Sequence, residues 1–140
     1  MQLREMIAAH PHVRGQVNDA LVQCADACFD CAKACISCAD ACLGEEMVAD
    51  LIQCIRLDQD CADICLAAGA LVIRRSGGDV TLLGPTLEAC ELACRRCAEE
   101  CERHASRHEH CRICAEACRD CERACGAARR SLPAATAAAH

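Results

Sequence analysis

From Cys24 to Cys42 the chain reads Cys24-Ala-Asp-Ala-Cys28-Phe-Asp-Cys31-Ala-Lys-Ala-Cys35-Ile-Ser-Cys38-Ala-Asp-Ala-Cys42, with cysteines at alternating steps of four and three. That period of about 3.5 residues is the a/d seam of a helix packed against other helices. Every seam position is a thiol. Ala25, Ala32 and Ala39 flank it on one side and Ala27, Ala34 and Ala41 on the other, while Asp26, Lys33 and Asp40 with Gln23, Asp30 and Ser37 fall on the opposite face. The segment is therefore a strong helix former with one edge made of sulfur. Cysteine can serve as a small buried hydrophobe, but six in strict register, echoed in later helices, exceed what that role needs.

The same register recurs downstream. A second helix has the seam Met47, Leu51, Cys54, Asp58, Cys61, Cys65, Ala68 and Val72. A third has Leu87, Cys90, Cys94, Cys97, Cys101 and His104, and a fourth Cys111, Cys114, Cys118, Cys121, Cys125 and Ala128. Punctuation between them sets the boundaries. The first long helix is expected from about residue 12 to Leu43, with Gly44 as its stop, and a short amphipathic turn (Leu3, Met6, Ile7) before Pro11. Arg74 and Arg75 suit the end of the second helix, Ser76-Gly77-Gly78 terminates it, and Asp79 caps a brief turn. Pro85 opens the third helix. Ser106-Arg-His-Glu109 has the form of a capping box for the fourth, and Gly126 and Pro133 bracket its end. Two tight connections and one longer one predict an all-α, antiparallel up-down-up-down four-helix bundle with a Cys-lined core. The expected organisation is a short segment over 1–11, the bundle over 12–131 and a flexible tail over 132–140.

With 140 residues the chain has enough length for one domain. It holds one Phe, no Trp and no Tyr against 18 Cys, so few bulky groups are available to fill the interior. The net charge of −6 is mixed in distribution, and no basic face suggests nucleic acid. No apolar run approaches the roughly 18 residues that span a bilayer, and Met1 to His10 has neither an apolar h-region nor a twin-arginine motif. A cytosolic location is expected. Cysteines at i and i+4 of a helix have Cβ atoms about 5–6 Å apart, beyond the roughly 3.5–4.5 Å of a disulfide, and the cytosol keeps thiols reduced. The thiols are then ligands or have no role beyond packing.

Sixteen of the 18 cysteines pair as Cys-x-x-x-Cys: 24/28, 31/35, 38/42, 61/65, 90/94, 97/101, 114/118 and 121/125. Cys54 is followed four residues on by Asp58, and Cys111 stands three residues after His108. Soft thiolates select Cu(I), Zn or iron–sulfur clusters. One helical turn offers two sulfurs side by side, which suits a two-coordinate ion, whereas tetrahedral zinc needs four converging ligands. Stacked zinc–tetrathiolate sites would also bury charge, while one Cu(I) per thiolate is neutral. If thiolates bridge neighbouring ions, capacity approaches one Cu(I) per Cys. The alternative, an iron–sulfur or zinc protein in electron transfer or redox chemistry, leans on Cys-x-x-Cys pairs such as 28/31 and 111/114. These lie inside helices without turn glycines or a closing Cys-Pro. A thiol redox sink is a further reading. No nucleophile–base constellation or phosphate loop is visible, so an enzyme is not expected.

Cys-x-x-x-Cys repeats on four successive helices, the scarcity of aromatics and the missing export signal together resemble the cytosolic branch of the bacterial copper storage proteins, over about residues 20–126. That resemblance implies a homotetramer of four-helix bundles with many Cu(I) ions along each interior. A stripe of Val22, Phe29, Ile36 and Leu43 beside the seam offers a further packing surface. Up-down topology puts the first and third helix–helix turns at one end, collecting Met47, His104, His108 and His110 as a copper entrance of softer ligands. Val17, Leu21, Val72 and Leu87 border the other end. Asp58 is either a ligand or a hydrogen bonder that requires a core partner. His10, His12 and His140 are expected in solvent.

Overall fold

The computed structural model describes residues 2–134. The expected tail lies mostly beyond them, and His140 lies wholly beyond them.

A short helix α1 (Gln2–Ala8) precedes four long ones: α2 (Asp19–Leu43), α3 (Ile52–Ile73), α4 (Val80–His104) and α5 (Glu109–Ser131). Each of α2 and α4 packs against both α3 and α5, so the four long helices form a closed ring of neighbours. The bundle inferred from the seams is present. Every seam residue on α2–α5 from Leu21 to Ala128 is buried except His104, which is partly so. Alanine beside cysteine allows this. Small flanking side chains bring the helix backbones close enough for thiols to meet at the axis. Ala25, Ala32, Ala62, Ala98 and Ala115 are all buried between helices. Among the described residues no helix is long and apolar enough to cross a membrane.

Local chemistry moves several boundaries. The first long helix starts at Asp19, not near residue 12, because Arg14 and Gly15 adopt positive φ (52° and 79°) and break the chain there. Asn18 is its cap, accepting the Leu21 N–H at 3.2 Å. The Asn18 amide also donates to Ser131 Oγ at 3.1 Å, tying the start of α2 to the end of α5. Asp79 caps the whole of α4, accepting from Thr81 N at 2.9 Å. Pro85 therefore sits inside α4 and does not open it; lacking an N–H, it leaves the Thr81 carbonyl without its helical donor. The expected capping box at Ser106 does not form. α5 begins at Glu109 with His108 as an N-cap that makes no side-chain cap bond, and Glu109 instead holds the Arg112 Nε at 2.9 Å. Gly126 lies within α5, and Leu132 and Pro133 follow its end. His10, expected in solvent, bonds Ser76 Oγ through Nε2 at 3.1 Å, while its Nδ1 accepts the His12 N–H.

The apolar stripe of α2 is divided. Val22 is buried, and Phe29 packs across α3 at Gly69, where a Cβ would fall 3.0 Å from the ring. Glycine lets the Phe29 ring close on the helix, since a Cβ would make the ring give by a few tenths of an ångström. Ile36 and Leu43, farther along, are 55% and 57% exposed.

Candidate metal centre

All 18 cysteines are buried free thiols. The i,i+4 pairs place their sulfurs 3.9 Å apart at 31/35 and 61/65 and 3.8 Å apart at 121/125. Helix packing adds contacts across the axis: Cys24–Cys125 at 3.5 Å, Cys31–Cys118, Cys65–Cys90, Cys35–Cys114 and Cys28–Cys121 at 3.7 Å, and Cys61–Cys94 at 3.8 Å. The expectation that sulfurs would be offered in pairs falls short of this. Four from different helices converge. Cys31, Cys65, Cys94 and Cys121, one from each long helix, lie within 4.8 Å of one another, as do Cys28/Cys90/Cys121/Cys125, Cys31/Cys35/Cys61/Cys118, Cys35/Cys97/Cys114/Cys118 and Cys38/Cys42/Cys54/Cys111. Cys31, Cys35, Cys118 and Cys121 each belong to two of these groups. Discrete tetrahedral sites need private ligands. Shared sulfurs instead suit a chain of ions linked by bridging thiolates.

Burial favours the neutral form of the metal-free thiols at the histidine end. It pushes Cys42 up to about 12 and raises Cys111 likewise. A soft monocation that replaces each proton leaves the interior uncharged, so filling the core releases protons rather than burying charge.

Asp58 is fully buried in this sulfur wall. Its Oδ1 accepts from the thiols of Cys97 at 3.0 Å, Cys114 at 3.3 Å and Cys101 at 3.6 Å, and Cys54 lies 3.9 Å from Oδ2. The required partners are therefore thiols, on α3, α4 and α5. Burial, with Cys114 beside it, pushes the Asp58 carboxyl up to about 8.

The end where α2 leaves and α5 begins carries His104, His108 and His110. His110 Nδ1 lies 3.4 Å from Cys38 Sγ and 3.6 Å from Cys111 Sγ, so its imidazole touches the last of the thiols. His108 stacks on it, with ring centroids 5.5 Å apart. Glu45 reaches both rings, through Oε1 to His110 Nε2 at 3.3 Å and through Oε2 to His108 Nδ1 at 3.4 Å. His104 is held by Glu100, Nε2 to Oε2 at 2.9 Å, with Arg103 on the other carboxylate oxygen. Met47 is 62% exposed at the rim. Two carboxylates thus belong to this end that sequence reasoning missed. Glu100 was open to discovery as the i,i+4 neighbour of His104. Glu45 was not, because it is 65 residues from His110 and no period relates a loop to a distant helix start.

The sequence profile of the copper storage proteins matches residues 17–130. The chain belongs to the copper storage protein family. Among solved structures it is similar to the copper storage protein Ccsp of Streptomyces lividans loaded with 10 copper equivalents, at 46% identity and a TM-score of 0.89, covering 93% of this chain and 99% of that one. A five-copper structure of the cytosolic copper storage protein of the same organism is 50% identical, with a TM-score of 0.81 over 82% of this chain and 96% of that one. No curated protein matches the chain. Family membership and shared sulfur groups agree on copper as the cargo, with several ions per chain held through cysteine. The iron–sulfur and zinc alternatives give way to that reading.

Proposed function

We propose that this protein is a cytosolic, non-catalytic store of Cu(I), taking up on the order of one ion per thiol through bridging thiolates. The observation that carries the reading is the sharing of Cys31, Cys35, Cys118 and Cys121 between neighbouring sulfur groups. It turns separate sites into one file. All 18 cysteines act as ligands in it, and Asp58 acts among the thiols that border it. His104, His108 and His110, with Met47 at the rim, form the entrance. Imidazole and thioether accept a cuprous ion but hold it less deeply than a buried thiolate, which favours transfer inward.

The protein assembles as a homotetramer on this reading. Support comes from Ile36 and Leu43, half of the α2 stripe that the chain leaves exposed beside a groove to α3 lined by Ala39 and Ala62. Neither nucleic acid nor membrane is a partner.

The deciding experiment is anaerobic Cu(I) titration of the reduced protein against a competing chelator. Uptake on the order of one Cu(I) per thiol is expected. Saturation at about four or five ions would indicate tetrahedral sites and sink the storage reading. Sedimentation of the same samples checks the tetramer.

A further inference from the structure

Glu45 stands in the connection after α2, where its own N–H donates to the Cys42 carbonyl at 3.2 Å. That backbone bond fixes the residue against the last thiol-bearing turn of α2. Its side chain then spans to α5 and meets two imidazoles with separate oxygens, His110 at Oε1 and His108 at Oε2. A carboxylate only accepts, so the His110 nitrogen bonded to it must carry the proton. For neutral His110 this places the proton on Nε2 and leaves Nδ1 with its lone pair. Nδ1 is the nitrogen 3.4 Å from Cys38 Sγ and 3.6 Å from Cys111 Sγ. His108 Nδ1 stands 3.4 Å from Oε2, an ion-pair distance without hydrogen-bond geometry. The two rings stack nearly parallel, 27° between planes.

We infer that Glu45 is a positioning residue of the copper entrance, fixing the His110 ring so that its Nδ1 lone pair faces the Cys38 and Cys111 sulfurs and can pass Cu(I) to them. This rests on the reading of that end as the entrance. The chemistry is that of a carboxylate behind a metal-binding histidine, which sets tautomer and ring orientation without touching the ion. Glu45 itself is a hard oxygen donor and a poor ligand for a soft cuprous ion. Its contribution is to the arrangement of the ring, and so to the rate of transfer, while capacity resides in the thiols. Glu46 is the natural control. It carries the same charge in the same connection, is exposed, and makes neither histidine contact.

The test uses the full chain as Glu45→Ala, Glu45→Gln and Glu46→Ala, each checked for helix content by circular dichroism. Nitrogen-15 spectra of the copper-free protein read the His110 tautomer. The wild type and Glu46→Ala are expected to hold the proton on Nε2, Glu45→Ala to show both tautomers, and Glu45→Gln, with one accepting oxygen left, to fall between. Stopped-flow transfer of Cu(I) from a chelator is expected to slow roughly tenfold in Glu45→Ala, with partial rescue in Glu45→Gln and none of the slowing in Glu46→Ala. Total uptake should be unchanged in all three. A wild-type tautomer and rate in Glu45→Ala would overturn the inference, and so would equal slowing in Glu46→Ala, which would mark a bulk charge effect. Failure of uptake to scale with thiols, by contrast, would overturn the storage reading itself and leave the tautomer result standing on its own.

Discussion

The two ends of the bundle hold equal chemistry at the core and opposite chemistry around it. At the end where α2 starts, Cys24 and Cys125 are 3.5 Å apart beneath Leu21, Val72, Leu87 and Ala128, all buried. Outside that apolar plug the chain braces itself, Asn18 to Ser131 and His10 to Ser76. At the other end Cys38 and Cys111 meet imidazole, and the surrounding groups are Glu45, Glu100, Arg103 and three histidines. The sulfur file runs unbroken between the two. On the proposed reading of the histidine end as the entrance, capacity and access are separate properties: capacity is distributed along the whole axis, whereas access is confined to one end by what surrounds the thiols there.

The comparison breaks first if the plug is not a packed plug. Leu87 is fully buried and among the largest side chains in an interior of small groups. Leu87→Ala is expected to lower the stability of the copper-free protein by about 2–5 kcal/mol, because alanine and cysteine neighbours cannot collapse into the cavity. Denaturant unfolding measures it, and a loss below about 1 kcal/mol would mean the closed end is loosely filled.

Asp58 sharpens the contrast, since it is the fully buried carboxylate of the file and the closed end has no counterpart among the described residues. Its carboxyl is raised from 3.8 to about 8, so the folded protein retains a proton that the unfolded chain has lost. Stability of the copper-free protein is therefore greatest below about pH 4 as far as this group is concerned, and falls as pH rises toward 8. The loss is on the order of a few kcal/mol. The groups facing it are Cys38 and Cys42 on α2, Cys54 on α3, Cys97 and Cys101 on α4 and Cys114 on α5. Asp58→Asn should remove that fall. Unfolding curves of both proteins from pH 4 to 8 decide, and parallel profiles would place the pH dependence elsewhere.

Smaller effects are expected at the histidines. Replacing His104, His108 and His110 together should leave total Cu(I) uptake nearly unchanged while changing the rate of withdrawal by a chelator roughly tenfold. Unaltered kinetics would make them ordinary surface residues. The smallest effect is at the brace: Asn18→Ala removes a helix cap and the bond to Ser131, and should cost about 1 kcal/mol in thermal unfolding with no change in withdrawal rate. A faster withdrawal there would reveal a second opening at the closed end.

Much of this was legible beforehand for a physical reason. Seam residues answer to a period, and a period is local. The spacing of Cys24 to Cys42 fixes their common face whatever the helix packs against, and the repeats on three further segments fix the bundle. Even the plug could be read, because Leu21, Val72 and Leu87 simply continue the seams beyond the thiols. Helix starts were less legible. Ser106 and Glu109 have the spacing of a capping box, yet the tight turn that follows His104, closed by the His108 N–H to the His104 carbonyl at 3.0 Å, makes His108 the cap. Pro85 suggested a helix start that the Asp79 cap pre-empted by a turn and a half.

What the sequence alone determined is the inventory and its direction: 18 thiols on four inward faces, with His104, His108 and His110 sent to one end by antiparallel topology. Tertiary structure alone decided which thiols share a site, since Cys31, Cys65, Cys94 and Cys121 become neighbours only when four helices settle at a particular relative height. The same packing chose the thiol partners of Asp58 and put Glu45 between His108 and His110. Period and composition are properties of one segment, whereas register between segments is set by side-chain volumes meeting across the axis, and no local pattern encodes it.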